Sequence, residues 1–498
     1  MLLKKSIERL VSENEQNDGA GLKRSLGPIN LVALGIGAIV GAGIFSLTGI
    51  VAAENAGPAV ILSFILAAVA CAFCALCYAE YASMIPVAGS AYTYTYATMG
   101  EFMAWIIGWD LVLEYALASA TVAVSWSSYA TKLLSHLQIN LPPELTSSPF
   151  DPVKLADGST LSGGIVNLPA IVIVALLSLV LAKGTKESAT MNNLLVLLKL
   201  SVIVLFIVLG WSFIQEENYH PFIPENTGEF GHFGWSGIVR GAAVVFFGFI
   251  GFDAVSTAAQ ESKNPQKDMP IGIIGSLLVA TFLYVAFSYV MTGMVSYKTF
   301  IGDASPAATA FAVTGYHFLN SALIIAILAG YTSVILVMLM GQSRVFYSMS
   351  KDGLLPSFFS DIHSKFKTPW KSNLFFMVFV SILAGFVPIS DLGHMVSIGT
   401  LFAFSLVSLG IIILRKTSPE AKRGFKVPLV PFVPILGIGV CVFLMTGLPL
   451  ESWERLFVWM AIGIVFYFLY GKRHSKLRIE KELLQRKNEN SNDQNLKE

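Results

Sequence analysis

The chain has 498 residues, 54% of them hydrophobic and only 13% charged, with a mean hydropathy of +0.67. That composition excludes a soluble globular protein and points to one large domain embedded in lipid. The formal net charge of +1 decides little, because in a membrane protein the placement of Lys and Arg matters more than their sum.

Residues 1 to 26 form a polar arm, and no cleavable leader is expected, since charge runs to Arg24 and the apolar stretch that follows is too long. Runs of about 20 apolar residues, each able to cross a hydrocarbon core of about 30 Å, then recur. Twelve are predicted, centred near residues 42, 70, 117, 174, 205, 248, 284, 333, 380, 403, 441 and 462. The first carries Gly35, Gly37, Gly41 and Gly43 within LGIGAIVGAGIF. An unbroken helix satisfies its own backbone in lipid, so a Gly-Ala-Gly step near mid-depth predicts an interruption whose freed N–H and C=O groups face a ligand or protein.

The second run holds Cys71, Cys74 and Cys77. Their spacing resembles that of iron–sulfur ligands, but small-residue helix packing is the better reading in a lipid-embedded helix with no fourth ligand nearby. The third run contains Asp110 and, one turn later on the same face, Glu114. The Pro-rich loop from about 135 to 164 is composed for turns. The fifth run places Lys199 about ten residues deep, too far for easy snorkelling, and the loop from about 215 to 235 is acidic. The sixth has a second interruption, Phe246 to Gly251, followed by Asp253. Glu80 and Arg240 lie near span ends, where reaching to water is the simplest account. Residues 471–498 form a polar tail with no apolar face worth burying.

With the N-terminus in the cytoplasm, most basic residues fall inside, and only Lys132, Lys154, Lys298 and Arg455 lie outside. Both termini are therefore expected to be cytoplasmic. Spans one to five lie over spans six to ten with Gly41 and Gly248 in register, and an odd number of spans per repeat inverts the second copy. The predicted fold is an all-α integral membrane protein of twelve transmembrane helices, a five-plus-five inverted repeat with helices 1 and 6 broken, plus two extra helices. Its expected organisation is an arm (1–26), a transporter domain (27–470; repeats about 29–214 and 236–414, extra helices about 433–470) and a cytoplasmic tail (471–498).

At such breaks, exposed N–H groups attract a carboxylate and exposed carbonyls an ammonium group. Ile39, Gly41, Ala42 and Gly43 with Phe247, Gly248 and Ile250 are thus expected to bind the main chain of a free amino acid, with Phe247 as an aromatic gate. An ionisable residue at the centre of a span costs about 2.5–3.5 kcal/mol on insertion scales. Glu114 and Asp253 cannot both be ionised cheaply if they approach each other, which makes them the expected proton-coupling and gating pair. Lys199 is expected to place its ammonium where backbone carbonyls would otherwise hold a cation; an ion pair with a neighbouring acid is the alternative.

The stretches LGIGAIVGAGIFSLTG, CYAEYASMIPVAGSAYTYTYATMGEFMAWIIGWDLVLEYALA, FFGFIGFDAVSTAAQESKNPQKDMPIGI, GQSRVFYSMSKDGLLP and VSIGTLFAFSLVSLGIIILR together resemble the amino acid–polyamine–organocation superfamily, in its cationic amino acid transporter branch with bacterial members. The resemblance covers about residues 22 to 430. It implies a leucine-transporter-like fold, amino acid transport and, in bacterial members, proton-linked uptake. Its first-span substrate site maps onto Ile39, Gly41, Ala42 and Gly43, its sixth-span site onto Phe247, Gly248 and Ile250, its membrane acids onto Glu114 and Asp253, and its fifth-span lysine onto Lys199. Two departures stand out: some members carry Thr where this chain has Ala42, and members usually carry Glu where it has His394.

The expectation is a multi-pass secondary amino acid transporter of the bacterial cytoplasmic membrane, not an enzyme, working by proton symport. An exchanger or facilitator without proton coupling is the alternative, and a channel a remote one. Its partners are an amino acid, a proton and the bilayer, with no cofactor, metal or nucleic acid. Side-chain preference, oligomeric state and a small membrane subunit stay open.

Overall fold

The computed structural model describes residues 3–6, 9, 26–85, 90–150, 153–154, 160–161, 163–183, 189–253, 255–256, 259, 262–303, 305–366 and 368–495; most of the N-terminal arm lies outside them. Among the described residues the apolar runs are helical apart from two interruptions, as hydrocarbon demands of a backbone that finds no water to bond. The main helices are α1 (Pro28–Ile39), α2 (Val60–Met84), α3 (Ser90–Thr98), α4 (Glu101–His136), α5 (Leu168–Lys183), α6 (Ala189–Gly210), α7 (Gly234–Val245) and α8 (Pro265–Met294). They continue as α9 (Pro306–Ala312), α10 (His317–Lys351), α11 (Trp370–Phe386), α12 (Ile389–Thr417), α13 (Phe432–Gly447), α14 (Leu450–Phe466) and α15 (Lys476–Asn495). Among the described residues seven helical segments are long and apolar enough to cross a membrane, and five further apolar helices are shorter. In the Pro-rich loop two short strands, Val153–Lys154 and Thr160–Leu161, pair antiparallel.

The bundle is organised around α4. Of its most apolar stretch 94% is buried inside the protein, against 28% for the closing segment Leu450–His474. The closest packing joins α4 to α10, α2 to α8, α1 to α8, α5 to α11 and α4 to α12. Three of these pairs match spans five apart in the order of apolar runs: second with seventh, third with eighth, fourth with ninth. The remaining contacts come in matched sets: α1 on α8 mirrors α7 on α2, and α6 on α10 mirrors α12 on α4.

Small residues make the close approaches. A side-chain carbon at Gly437 would lie 3.3 Å from Phe73 Cβ, so α13 sits tightly on α2 and brings Cys441 Sγ within 3.5 Å of Cys74 Sγ. The four cysteines are free and buried, the packing role expected of them. Indole groups join α4 to α14: Trp109 Nε1 donates to the Trp459 carbonyl at 3.0 Å and Trp459 Nε1 to that of Trp109 at 3.1 Å. The two rings stack with centroids 4.6 Å apart.

One of the two span-end charges differs from the sequence reading. Glu80 is fully buried rather than reaching water. Arg415 grips it bidentately, both bonds at 2.8 Å, Arg423 Nε adds a bond at 3.0 Å and the Val427 N–H one at 2.7 Å. Burial is possible because every carboxylate lone pair finds a donor. Arg240 likewise donates to the Gly447 carbonyl at 3.1 Å, tying α7 to the end of α13. The polar tail also begins in order: Ser475 and Arg478 bond buried Glu101, Arg478 Nε at 2.8 Å, and Tyr467 joins them at 2.9 Å. Charge pairing holds it, together with Leu477, which packs against the core.

Removing Glu80 strands two guanidinium groups beside the core, so Glu80→Ala is expected to destabilise the protein by about 3–5 kcal/mol. A thermal melt of purified wild type and variant checks this; an unchanged midpoint contradicts the assignment.

Candidate functional site at two interrupted helices

Helix α1 stops at Ile39. Val40 N–H still bonds back to the Ile36 carbonyl, but a ψ of 105° at Val40 carries the chain out of the helix. Helical geometry returns at Ala42 (φ −62°, ψ −23°) and leads into a wide π-helical turn, Gly43–Leu47. The last carbonyls of α1 and the first N–H groups of the second half-helix therefore lose intrahelical partners at the same depth. The gap falls at Val40 and Gly41, at the start of the expected Gly-Ala-Gly step.

The second interruption lies opposite. Helix α7 tightens into a 3₁₀ turn at Phe246–Phe249, and the chain leaves it at Ile250 (φ −58°, ψ 136°). Gly251 follows at φ +119°, where a side chain is strained, and a Cβ there would sit 2.7 Å from the Ala38 carbonyl carbon. Beyond it the described residues are 3₁₀ fragments rather than a second α-helical half.

The two breaks touch. A Cβ on Gly43 would lie 2.2 Å from Gly248 Cα, and one on Gly248 would lie 3.2 Å from both Gly43 Cα and the Tyr284 ring. Tyr284 of α8 fastens this contact: its hydroxyl lies 2.9 Å from the Ile39 carbonyl and 2.6 Å from that of Gly248, donating to carbonyls freed by both breaks. Phe246 and Phe249 turn into aromatic clusters, Phe246 against Phe404 and Phe249 against Phe64 and Tyr284. Phe247, also buried, pairs with no ring among the described residues. Past the first break, the Tyr129 hydroxyl donates to the Phe45 carbonyl at 2.5 Å, and Ser46 and Tyr331 share a bond at 2.9 Å.

Lys199 reaches the same region from α6. Its buried Nζ donates to the Gly37 carbonyl at 2.8 Å, and Gly330 of α10 leaves room for its stem, since a Cβ there would be 3.2 Å from Lys199 Cγ and Cε. The ammonium thus sits at the C-terminal end of α1, where the helix dipole favours a cation. Of the two sequence alternatives, contact with backbone carbonyl is the one present; no carboxylate pairs with Lys199 among the described residues.

Glu114, Asp110 and Asp253 are all buried. Asp253 accepts from the Gly251 N–H at 3.1 Å and from the Tyr115 hydroxyl at 3.4 Å, so it belongs to the second break. Neither carboxylate oxygen of Glu114 or Asp110 has a hydrogen-bond partner among the described residues. Glu114 lies one turn from Asp110 on α4 and immediately before Tyr115, the residue that donates to Asp253. Asp110 faces Gly399 of α12, where a Cβ would be 3.2 Å from Oδ1. His394 lies near the start of α12, N-terminal to the part facing the acids.

Sequence reasoning missed Tyr284, although a phenol in an apolar run must find an acceptor for its hydroxyl. It also passed over Gln342, a buried amide on α10 with neither end bonded among the described residues.

Two interrupted helices in contact, with a lysine on the freed carbonyls and unpaired acids beside them, define a membrane transporter of small molecules. Comparison with known proteins agrees: the family model described as amino acid permease matches residues 26–467, and the chain belongs to that family, within the amino acid–polyamine–organocation superfamily. It is 47% identical to the branched-chain amino acid permease BcaP of Bacillus subtilis, over 95% of this chain and 98% of the relative. It is 43% identical to the methylthioribose transporter of the same organism, over 95% and 98%. Cationic amino acid transporter 9 of Arabidopsis thaliana is 35% identical over 92% and 89%. These relatives are transporters, not enzymes.

The geometry ranks substitutions at the breaks. Gly43→Ala, which drives a carbon into backbone, is expected to cost far more substrate affinity than Gly248→Ala, whose neighbours include a movable ring. Binding isotherms of the two variants test the order, and equal affinities would contradict it.

Proposed function

We propose that the chain is a proton-coupled amino acid symporter in the cytoplasmic membrane of a bacterium, working by alternating access, with a neutral, branched aliphatic amino acid as its substrate. The observation that carries the reading is the Gly43–Gly248 contact, which sets the freed backbone groups of both breaks around one place. There the N–H groups opening the half-helix at Ala42 receive the substrate carboxylate, and the carbonyls of Phe247 and Gly248, which already accept from the Ile250 N–H and the Tyr284 hydroxyl, offer their second lone pairs to its ammonium group. Ile39, Gly41, Gly43 and Ile250 complete the backbone wall, and Phe247, lacking a fixed ring partner, closes over the side chain.

The paired contacts between helices five apart support a five-plus-five inverted repeat of about 29–214 and 236–414, in which a two-fold axis in the membrane plane makes equivalent helices meet. On this reading the domain, about 27–470, crosses the membrane twelve times, with the arm and the tail from 471 cytoplasmic.

Lys199 holds the carbonyl end of α1 where a metal cation would otherwise sit, so sodium is not required. Glu114, buried and unbonded, is costly to keep ionised beside Asp253, and proton exchange with the aqueous side open at the time relieves that cost. Alternation then couples the proton to the substrate.

The substrate preference rests on the 47% identity to a branched-chain amino acid permease. The 43% identity to a methylthioribose transporter favours a second reading, a thioether sugar in the same cavity. Uptake into proteoliposomes of labelled leucine, valine, lysine and methylthioribose, with and without an imposed pH gradient, separates them. Leucine and valine are expected to accumulate uphill only with the inside alkaline; methylthioribose uptake in their place would overturn the substrate assignment, and leucine uptake that requires internal amino acid and ignores the pH gradient would favour an exchanger.

Glu114→Gln keeps shape and hydrogen-bonding capacity but cannot exchange a proton. It is expected to lose gradient-driven accumulation at equal protein density while retaining counterflow. Replacing sodium by choline at constant pH and voltage is expected to leave wild-type uptake unchanged, and its loss would refute the role given to Lys199.

A further inference from the structure

Two segments able to cross a membrane, His317–Lys351 and Leu450–His474, end at a common cavity of about 780 Å³. Its charged lining comes from Lys351 and Asp352 at the end of α10, from His474 and Lys476 after the last apolar segment, and from Lys5 and Arg9 of the N-terminal arm. Part of this charge is matched internally, Lys5 with Asp352 at 2.7 Å and Arg9 with Glu480 at 2.7 Å. Lys351 and Lys476 pair with no carboxylate among the described residues; Lys351 Nζ lies over the Tyr347 ring at 5.0 Å. The cavity is therefore positive, and Ser357 and Ser360 add hydroxyl groups to its wall.

Its rim has the opposite character. Ile362, on the loop after α10, lines the cavity and is an exposed large hydrophobic, and Phe358, Phe468 and Leu469, also exposed, neighbour the lining residues Ser357 and Tyr470 along the chain. Both membrane-crossing segments end here, so the opening lies on the polar side of the hydrocarbon. A cationic recess with exposed apolar residues at its edge fits an amphiphile: the phosphate enters and the acyl chains lie over apolar surface such as Ile362. Free phosphate esters share the anionic group but have nothing to place on the rim.

We propose that this cavity binds the headgroup of an anionic glycerophospholipid of the surrounding membrane. A bound lipid would bridge the N-terminal arm, the end of α10 and the start of α15, adding an intermolecular clasp to the bonds that already hold the two ends of the chain together.

The test uses the full-length purified protein in neutral detergent, titrated with dioctanoyl phosphatidylglycerol, dioctanoyl phosphatidylcholine and glycerol 3-phosphate and followed by native mass spectrometry. Phosphatidylglycerol is expected to bind at least about tenfold more tightly than either of the others, from the usual worth of juxtamembrane lysines. The double variant Lys351→Gln, Lys476→Gln is expected to lose about tenfold or more of that affinity, whereas Lys422→Gln, Lys426→Gln, which removes the same charge from an exposed loop, is expected to keep it. Glycerol 3-phosphate binding as tightly as the lipid would replace the proposal with a soluble-phosphate site. Equal losses in the two double variants, or no preference over phosphatidylcholine, would reduce it to diffuse surface charge. The comparison of the three probes on the unaltered protein stands even if a variant fails to fold.

Discussion

Everything at the centre of this protein depends on two backbones meeting where neither carries a side chain. Gly43 and Gly248 let the interrupted helices approach to a distance at which a single methyl group would collide with main chain, and only such an approach puts the unbonded groups of both breaks around one small volume. In hydrocarbon those groups are costly unless bonded by protein or ligand. The Tyr284 hydroxyl and the Lys199 ammonium meet part of that demand, on Ile39 and Gly248 in the first case and on Gly37 in the second. The remaining backbone groups of the breaks, and the second lone pairs of the bonded carbonyls, keep hydrogen-bonding capacity to spare.

The charges follow one rule with one exception. Glu80 and Glu101 are buried, yet each is surrounded by donors, from two arginines and a backbone N–H in the first case and from tyrosine, serine and arginine in the second. They join the end of α2 to the segment after α12, and the start of α4 to the start of the tail. Glu114 and Asp110 lie in the same bundle without such donors. Full satisfaction makes a fixed joint; its lack makes a group whose charge state responds to what approaches. The contrast sets the acids that hold the fold apart from two that are left unbonded among the described residues.

Much of this was legible in the chain because lipid makes the grammar strict. A Gly-Ala-Gly step in an apolar run, matched by a second interruption at Gly248 and Gly251 half a chain later, means a broken helix, and the breaks fall within a residue or two of where the glycines predict them. Lys199, too deep to reach water, had to find carbonyl or carboxylate, and it finds carbonyl. Pairwise long-range partners were not legible. Nothing local to Glu80 announces that Arg415 and Arg423 will return more than 300 residues later to bury it, and nothing in the tail's composition shows that Arg478 will dock on Glu101. Tyr284 lay between these cases: its hydroxyl needed a partner, but only the fold brings two freed carbonyls to it.

The central claim, that main-chain groups of the two breaks read the main-chain groups of an amino acid, is tested most directly by competition. Purified protein bound to labelled leucine would be challenged with leucine methyl ester, which lacks the carboxylate, with 4-methylpentanoate, which lacks the amine, and with valine and isoleucine, which keep both and change the side chain. The account predicts that valine and isoleucine displace leucine while the ester and the deaminated acid do not, even at a hundredfold excess. Displacement by the ester or the acid as effective as that by valine would contradict it.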